Sequence, residues 1–154
     1  MGITRSSAAI FAVTLLGTVP GLALADERPV DIVSELYDNH PYAQMPPGGM
    51  SLWWEDMQAL WAPYTGTGQK RGGGEGLDFD FMTGTEHGSF GRIKITNVIE
   101  MEYEAQVRVV LDNGGDELYA LNYGFVRDDA LGWQISEVWQ DDSWFLSELL
   151  RQTR

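Results

Sequence analysis

The chain has 154 residues, a formal net charge of −13 at pH 7 and no cysteine. Its length fits one ordinary domain that can bury a core. The acidic excess repels nucleic acid and anionic lipid headgroups, so it excludes both as expected partners and favours cationic ligands or basic proteins. A chain without cysteine offers no disulfide, no thiol nucleophile, no thiolate metal ligand and no lipoprotein attachment site.

The first 25 residues have the three parts of a secretory signal peptide. Arg5 supplies a positive charge, residues 8–19 form an apolar run, and Ala23-Leu24-Ala25 has the small-x-small form of a cleavage site. The apolar run is shorter than the about 20 residues that span a membrane. We therefore predict export, cleavage after Ala25, and a single soluble domain of residues 26–154 in the periplasm or outside the cell. The alternative is a frayed N-terminal helix of a cytosolic domain.

Two helices are predicted at the start of the mature domain. Residues 29–40 carry apolar side chains at helical spacing, and Pro29 suits a first helical turn. Ser51 is the predicted N-cap of a second helix, whose apolar stripe begins at Trp53 and ends at Tyr64. A glycine-rich segment that follows is predicted to be a loop.

After this loop the apolar period changes from 3.6 to 2, which predicts strands. The predicted strands are 77–82, 93–104, 104–111, 118–127 and 133–139. Asp112-Asn113-Gly114-Gly115 predicts a hairpin turn, and Asp141-Asp142-Ser143 is predicted to cap a last short helix. Helices, then strands, then one helix predict an α+β fold with an antiparallel sheet.

Four short motifs resemble those of a known family. They are Leu36-Tyr37, Asp80-Phe81, Gly132-Trp133-Gln134-Ile135 and Leu150-Arg151. With the order of elements over residues 30–152, they resemble the nuclear-transport-factor-two-like (cystatin-like) cone fold. Within that fold the chain is similar to a domain-of-unknown-function family of bacterial periplasmic proteins and lipoproteins. The resemblance implies N-terminal helices packed on a curved antiparallel sheet and a short C-terminal helix. It implies no reaction, because the fold includes isomerases, dehydratases, binders and interaction modules.

Aromatic residues are the candidates for a ligand site. The cone fold normally forms a pocket between its sheet and its helices, and ligand pockets are mostly apolar. The candidate lining residues are Trp53, Trp61 and Tyr64 on the second helix, with Tyr119 and Tyr123 on a strand. The alternative is that these aromatics fill the core. We predict first a binding or interaction protein that uses this aromatic pocket or the concave sheet face.

Asp78, Asp80 and His87 are the candidates for acid–base chemistry. The two aspartates are two residues apart on a predicted strand, so they share a face, and either could be the general base of a small lyase or isomerase. The alternative is the polar face of an edge strand followed by a turn histidine. No metal-ligand spacing fits a template, so we expect no metal and no cofactor. A third hypothesis is a subunit of an envelope complex, in which two copies form a homodimer through the sheet.

Overall fold

A computed structural model describes residues 27–41, 45–64, 77, 79–85, 90–115 and 118–152. The predicted signal peptide, the glycine-rich segment 65–76, Asp78 and His87 lie outside the described residues. Within these ranges the chain has three α-helices and a five-stranded antiparallel sheet. The α+β class and the antiparallel sheet that the sequence predicts are confirmed.

The helices are short. They are α1 (Pro29–Asp38), α2 (Glu55–Trp61) and α3 (Leu146–Gln152), and a 3-10 turn lies at Met50–Leu52. Pro29 begins α1, as predicted, because the first helical residue needs no N–H for an intrahelical hydrogen bond. None of the described helices is long and apolar enough to cross a membrane.

The predicted cap at Ser51 is wrong. Ser51 lies inside the 3-10 turn, and α2 begins at Glu55. The intervening chain is drawn to the sheet, because Trp53 forms a parallel bridge with Ile135 and the Trp54 N–H donates to the Ile135 carbonyl at 2.9 Å. Tertiary pairing therefore delays the helix beyond the position that capping chemistry alone favours.

The strands follow one another as a meander in the order β1-β2-β3-β4-β5. They are β1 (Arg92–Glu100), β2 (Glu104–Asp112), β3 (Tyr119–Asp128), β4 (Gly132–Gln140) and β5 (Trp144–Phe145). Three of the predicted strands match β2, β3 and β4 to within a residue at each end. The first long strand, β1, ends before its predicted limit and carries a bulge between Asn97 and Ile99.

Residues 79–85 form a turn instead of the predicted strand 77–82. Asp80 and Thr85 make a single antiparallel bridge, and an Asp80 carboxylate oxygen accepts the Met82 N–H at 2.9 Å. Such a bond from an aspartate to the backbone two residues later favours a turn over a strand. Gly84 closes the turn with a φ of 67°, a left-handed conformation that glycine adopts without strain.

The predicted cap of the last helix is also wrong. Trp144 and Phe145 pair with the end of β4 as strand β5, so α3 begins only at Leu146. The α3 N-terminus is capped from the sheet instead: the Glu137 carboxylate accepts the Ser147 N–H at 3.1 Å. The cap of α3 therefore does not depend on the aspartates of the preceding turn.

The sheet buries one face along β2, β3 and β4, whereas β1 has no fully buried side chain. On β2, Val107, Val109 and Leu111 are fully buried, whereas the intervening Gln106 and Arg108 are partly exposed. The buried faces of β2, β3 and β4 share one core with the buried residues of all three helices. Helix α1 packs against β1 and β2, and α2 and α3 pack against β4. We call the opposite side, which no described helix covers, the open face.

The buried side of β4 gives a first test. Ile135 has no exposed surface and lies beside Phe125 in the core, on the face that the sequence predicts. Ile135→Asp buries an unpaired charge and should lower the free energy of unfolding by at least about 3 kcal/mol. Urea unfolding measures this, with Ile99→Asp on the open face as the control, expected to change stability by less than about 1 kcal/mol. Equal losses in the two variants would contradict the assignment of faces.

Candidate functional site

The helix aromatics that were predicted to bind a ligand lie in the core. Trp53 and Trp61 are fully buried, and Tyr64 is nearly so. The Trp61 ring meets those of Trp53 and Tyr64 edge to face, with centroids 5.4 and 5.5 Å apart. The Trp53 indole N–H donates to the Pro47 carbonyl at 2.9 Å, and the Tyr64 hydroxyl donates to the Leu150 carbonyl at 3.2 Å. This packing favours the alternative interpretation, in which these residues fill the core.

The strand aromatics belong to a junction between α1 and the sheet. The Tyr37 hydroxyl donates to the Met82 carbonyl at 2.9 Å, and the Tyr123 hydroxyl lies 3.2 Å from that of Tyr37. The Tyr119 hydroxyl donates to the Phe81 carbonyl, also at 2.9 Å. The phenols of Tyr37 and Tyr119, from α1 and β3, thus hold the 79–85 turn against the core, and the Tyr123 hydroxyl contacts that of Tyr37.

Asp80, a predicted acid–base residue, contacts His40 just beyond the end of α1. One Asp80 carboxylate oxygen meets His40 Nε2, and the other accepts the Met82 N–H. The His40 side chain is 2% exposed, and the Phe90 ring lies beside it with centroids 5.8 Å apart. A carboxylate that orients a histidine is the arrangement of many acid–base sites, but a buried pair of this kind also fastens two segments. The sequence gives no signal that residues so distant along the chain meet.

Burial raises the pKa of both Tyr37 and Tyr119 above the usual value for tyrosine, and the nearby Asp80 carboxylate raises it further. Desolvation is the larger cause in each case, because the charged phenolate loses more hydration than the neutral phenol. Both hydroxyls therefore act as hydrogen-bond donors at neutral pH and above.

Stability should consequently fall at alkaline pH. The unfolded chain releases tyrosine protons near pH 10, whereas the folded chain keeps those of Tyr37 and Tyr119 to higher pH. Their contribution is complete below about pH 10 and is lost as pH rises, at up to about 2.7 kcal/mol per pH unit for both groups. Urea unfolding between about pH 8 and 11 measures this slope. The double variant Tyr37→Phe/Tyr119→Phe should lose most of it, whereas Tyr103→Phe, at an exposed phenol, should keep it. A slope that survives the double substitution would contradict the assignment.

The open face carries a groove at one end. It is open to solvent and has a volume of about 290 Å³, with Ile99 and Met101 on one side and Trp139 on the other. Gly124 lies in its lining, and a Cβ atom there would approach the Trp139 ring to 3.1 Å and the Ser136 hydroxyl to 3.3 Å. Because Gly124 has no side chain, the indole can lie close to β3 and leave the space beside it open. We call this feature the groove.

The groove is apolar and accessible. Ile99 and Met101 are 47% and 55% exposed, and Val126 is partly exposed beside them. Glu104 and Glu137 add carboxylates to the lining. Sequence reasoning missed this surface, although a lone glycine inside a strand is a known sign of close approach by another group.

A larger cavity of about 590 Å³ adjoins the groove and shares Trp139 with it. We call it the acidic cavity, because Asp142 and Glu148 contribute exposed carboxylates to its lining. Phe145 stacks on Trp139 with ring centroids 6.4 Å apart and is itself 46% exposed. Aromatic faces and carboxylates therefore meet at one place on the surface.

A polar network fixes the boundary between these features. Asn122 is fully buried; its amide donates to Asp141 at 2.7 Å, and its carbonyl accepts from Gln106 at 3.1 Å. Arg108 lies 2.7 Å from the second Asp141 oxygen. The network holds the β4–β5 turn against the sheet. It also pairs the positive charge of Arg108 with the Asp141 carboxylate.

The chain has no match among protein families, curated proteins or solved structures. The similarity to the cone fold therefore rests on the sequence motifs and stays a prediction. Within the described residues, no three histidine, aspartate or glutamate side chains are grouped so that they could hold a metal ion.

Proposed function

We propose that this protein is a binding protein and that its partner occupies the groove on the open face. The observation that carries this proposal is the apolar surface of the exposed Ile99 and Met101 and the half-buried Trp139 around Gly124. An exposed apolar cluster with a shaped cavity is typical of an interaction site, whereas single exposed apolar residues are not. The sequence predicts an aromatic pocket or the concave sheet face as the binding surface, whereas this proposal puts the site on the open face, away from the helices.

The proposal also includes the fold and the export that the sequence predicts. We propose that the domain has the cone fold, with its helices on the inner side of the sheet, and that the chain is exported and cleaved after Ala25. The packing of all three helices on one side of a meander supports the fold. The charged, apolar and small-residue parts of the first 25 residues support export.

Photo-crosslinking tests the binding site directly. A photoreactive benzoylphenylalanine in place of Met101 should give discrete protein adducts in a native envelope extract, because this side chain borders the groove. The matched control carries the same residue in place of Met50, an exposed methionine in the helical layer. Equal adducts from both positions, or none from Met101, would contradict binding at the groove.

A second candidate is the lyase or isomerase, which the contact between His40 and Asp80 favours. Under the binding proposal this pair is structural, so Asp80→Asn should lower the stability of the protein. At temperatures where the variant is folded, benzoylphenylalanine in place of Met101 should still form the same adducts. If the folded variant loses its adducts, the 79–85 turn and not the groove determines function.

Export has its own test. Mass spectrometry of the protein from the native envelope should find a chain that begins at Asp26. A full-length chain retained in the cytosol would show that the first 25 residues are not a cleaved signal.

A further inference from the structure

We infer that the groove takes a basic polypeptide segment, in which one apolar side chain is flanked by lysine or arginine. This inference rests on the proposed binding function and adds the chemistry of the partner. It follows from the size of the groove, from the charges beside it and from Trp139, which the groove shares with the acidic cavity and which stacks on Phe145.

The size of the groove favours a side chain over a free small molecule. Its volume of about 290 Å³ lies at the lower limit of typical small-molecule sites, which hold about 300–1,000 Å³ and enclose their ligand. This groove is open along the sheet, and Trp139 is part of its lining. An open apolar groove of this size suits a single aliphatic or aromatic anchor that belongs to a longer chain.

The charges beside the groove favour a cationic partner. Glu104 lies in its lining, and Asp142 and Glu148 lie in the acidic cavity that adjoins it. Arg108, a cation on this face, is already paired with Asp141. The chain as a whole carries −13, so a basic segment is attracted both locally and at longer range.

The stacked rings of Trp139 and Phe145 add a contact that suits a cation. A guanidinium or ammonium over an exposed aromatic face gains a cation–π attraction. The protein makes this contact within its own chain, where Arg127 lies 5.7 Å from the centre of the Trp133 ring. A partner arginine or lysine in the acidic cavity could approach Phe145 in the same manner and reach Asp142 or Glu148 with its charged end.

An extended segment can fill both features at once. Side chains two residues apart on a strand point to the same side and lie about 7 Å apart. Because Trp139 borders both features, an apolar residue in the groove places the residue two positions away near the acidic cavity. The sequence expected in the partner therefore has an apolar residue, with one cationic residue two positions before it and another two positions after it.

A second copy of this chain fits the groove less well. A two-fold symmetric contact centred there would bring Glu104, Asp142 and Glu148 near their own copies, and like charges that approach on binding oppose it. The acidic surface of the whole chain adds to this repulsion.

Calorimetric titration with three synthetic peptides tests the inference. The first is Ser-Lys-Gly-Leu-Gly-Lys-Ser, the second has glutamate for both lysines, and the third has alanine for leucine. We expect the first to bind at least about tenfold more tightly than either of the others, and to weaken with added salt. Met101→Ser should weaken the first peptide at least about fivefold, and Met50→Ser should not.

Charge variants localise the cationic contacts. Asp142 has a φ of 54°, which asparagine also tolerates, so Asp142→Asn/Glu148→Gln removes two charges with little change in backbone conformation. This double variant should bind the lysine peptide about threefold to tenfold more weakly. The matched control is Asp56→Asn/Glu55→Gln, which removes the same charges from the exposed start of α2 and should leave binding unchanged.

The outcomes separate this inference from the proposed function. If the lysine and glutamate peptides bind equally and Met101→Ser weakens both, the groove binds but the charge preference is wrong. If no peptide binds, the inference is overturned, and the crosslinks from Met101 decide the proposed function independently. If sedimentation shows a dimer that Met101→Ser dissociates, the occupant is a second copy, and the inference is overturned.

Discussion

Strands β2, β3 and β4 bury the apolar side chains of one face, and this burial determines the rest of the structure. One face must receive the helices, because side chains such as Val109, Tyr123 and Ile135 have no exposure. Trp61 on α2, with Trp53 before the helix and Tyr64 after it, packs against that face, so a pocket between sheet and helices would have to displace packed rings. The open face is left with the residues of opposite phase, and there Gly124 leaves space beside Trp139. The function that we propose is a consequence of this division.

The 79–85 turn is connected to several distant parts of the chain. It receives hydrogen bonds from Tyr37 and Tyr119, contacts His40 through Asp80, and is held from the β2–β3 turn by Asn113, whose amide donates to the Thr83 carbonyl at 2.9 Å. These bonds connect α1, β3 and a hairpin turn through one short segment. Such a network gives a structural reason for an acidic residue and a histidine at these positions, without any need for a reaction. The acid–base chemistry that the sequence permits is thus the less economical explanation of the pair.

Local patterns predicted the repeating elements well, because the alternation in β2 to β4 and the helical stripe of α2 are set by burial. They failed where distant segments compete for the same residues. Ser51 has the chemistry of a helix cap, but the hydrogen bond from Trp54 to Ile135 delays the helix. Trp144 and Phe145 suit a helix by their spacing, but they pair with β4 as a strand. The groove could not be predicted, because the exposure of Met101 and Ile99 depends on which face of the sheet the helices cover. Only Gly124, an isolated glycine in a strand, marked the place.

The central claim is that the open face, and not the buried aromatic layer, is the binding surface. Amide and indole chemical shifts of the isotope-labelled protein, recorded as the lysine peptide is added, test it most directly. The claim predicts shifts at Gly124, Val126 and the Trp139 indole, with the Trp53 and Trp61 indoles unchanged. Shifts centred on the Trp61 indole and on the 79–85 turn, with Gly124 unmoved, would contradict it and place the site between the sheet and the helices.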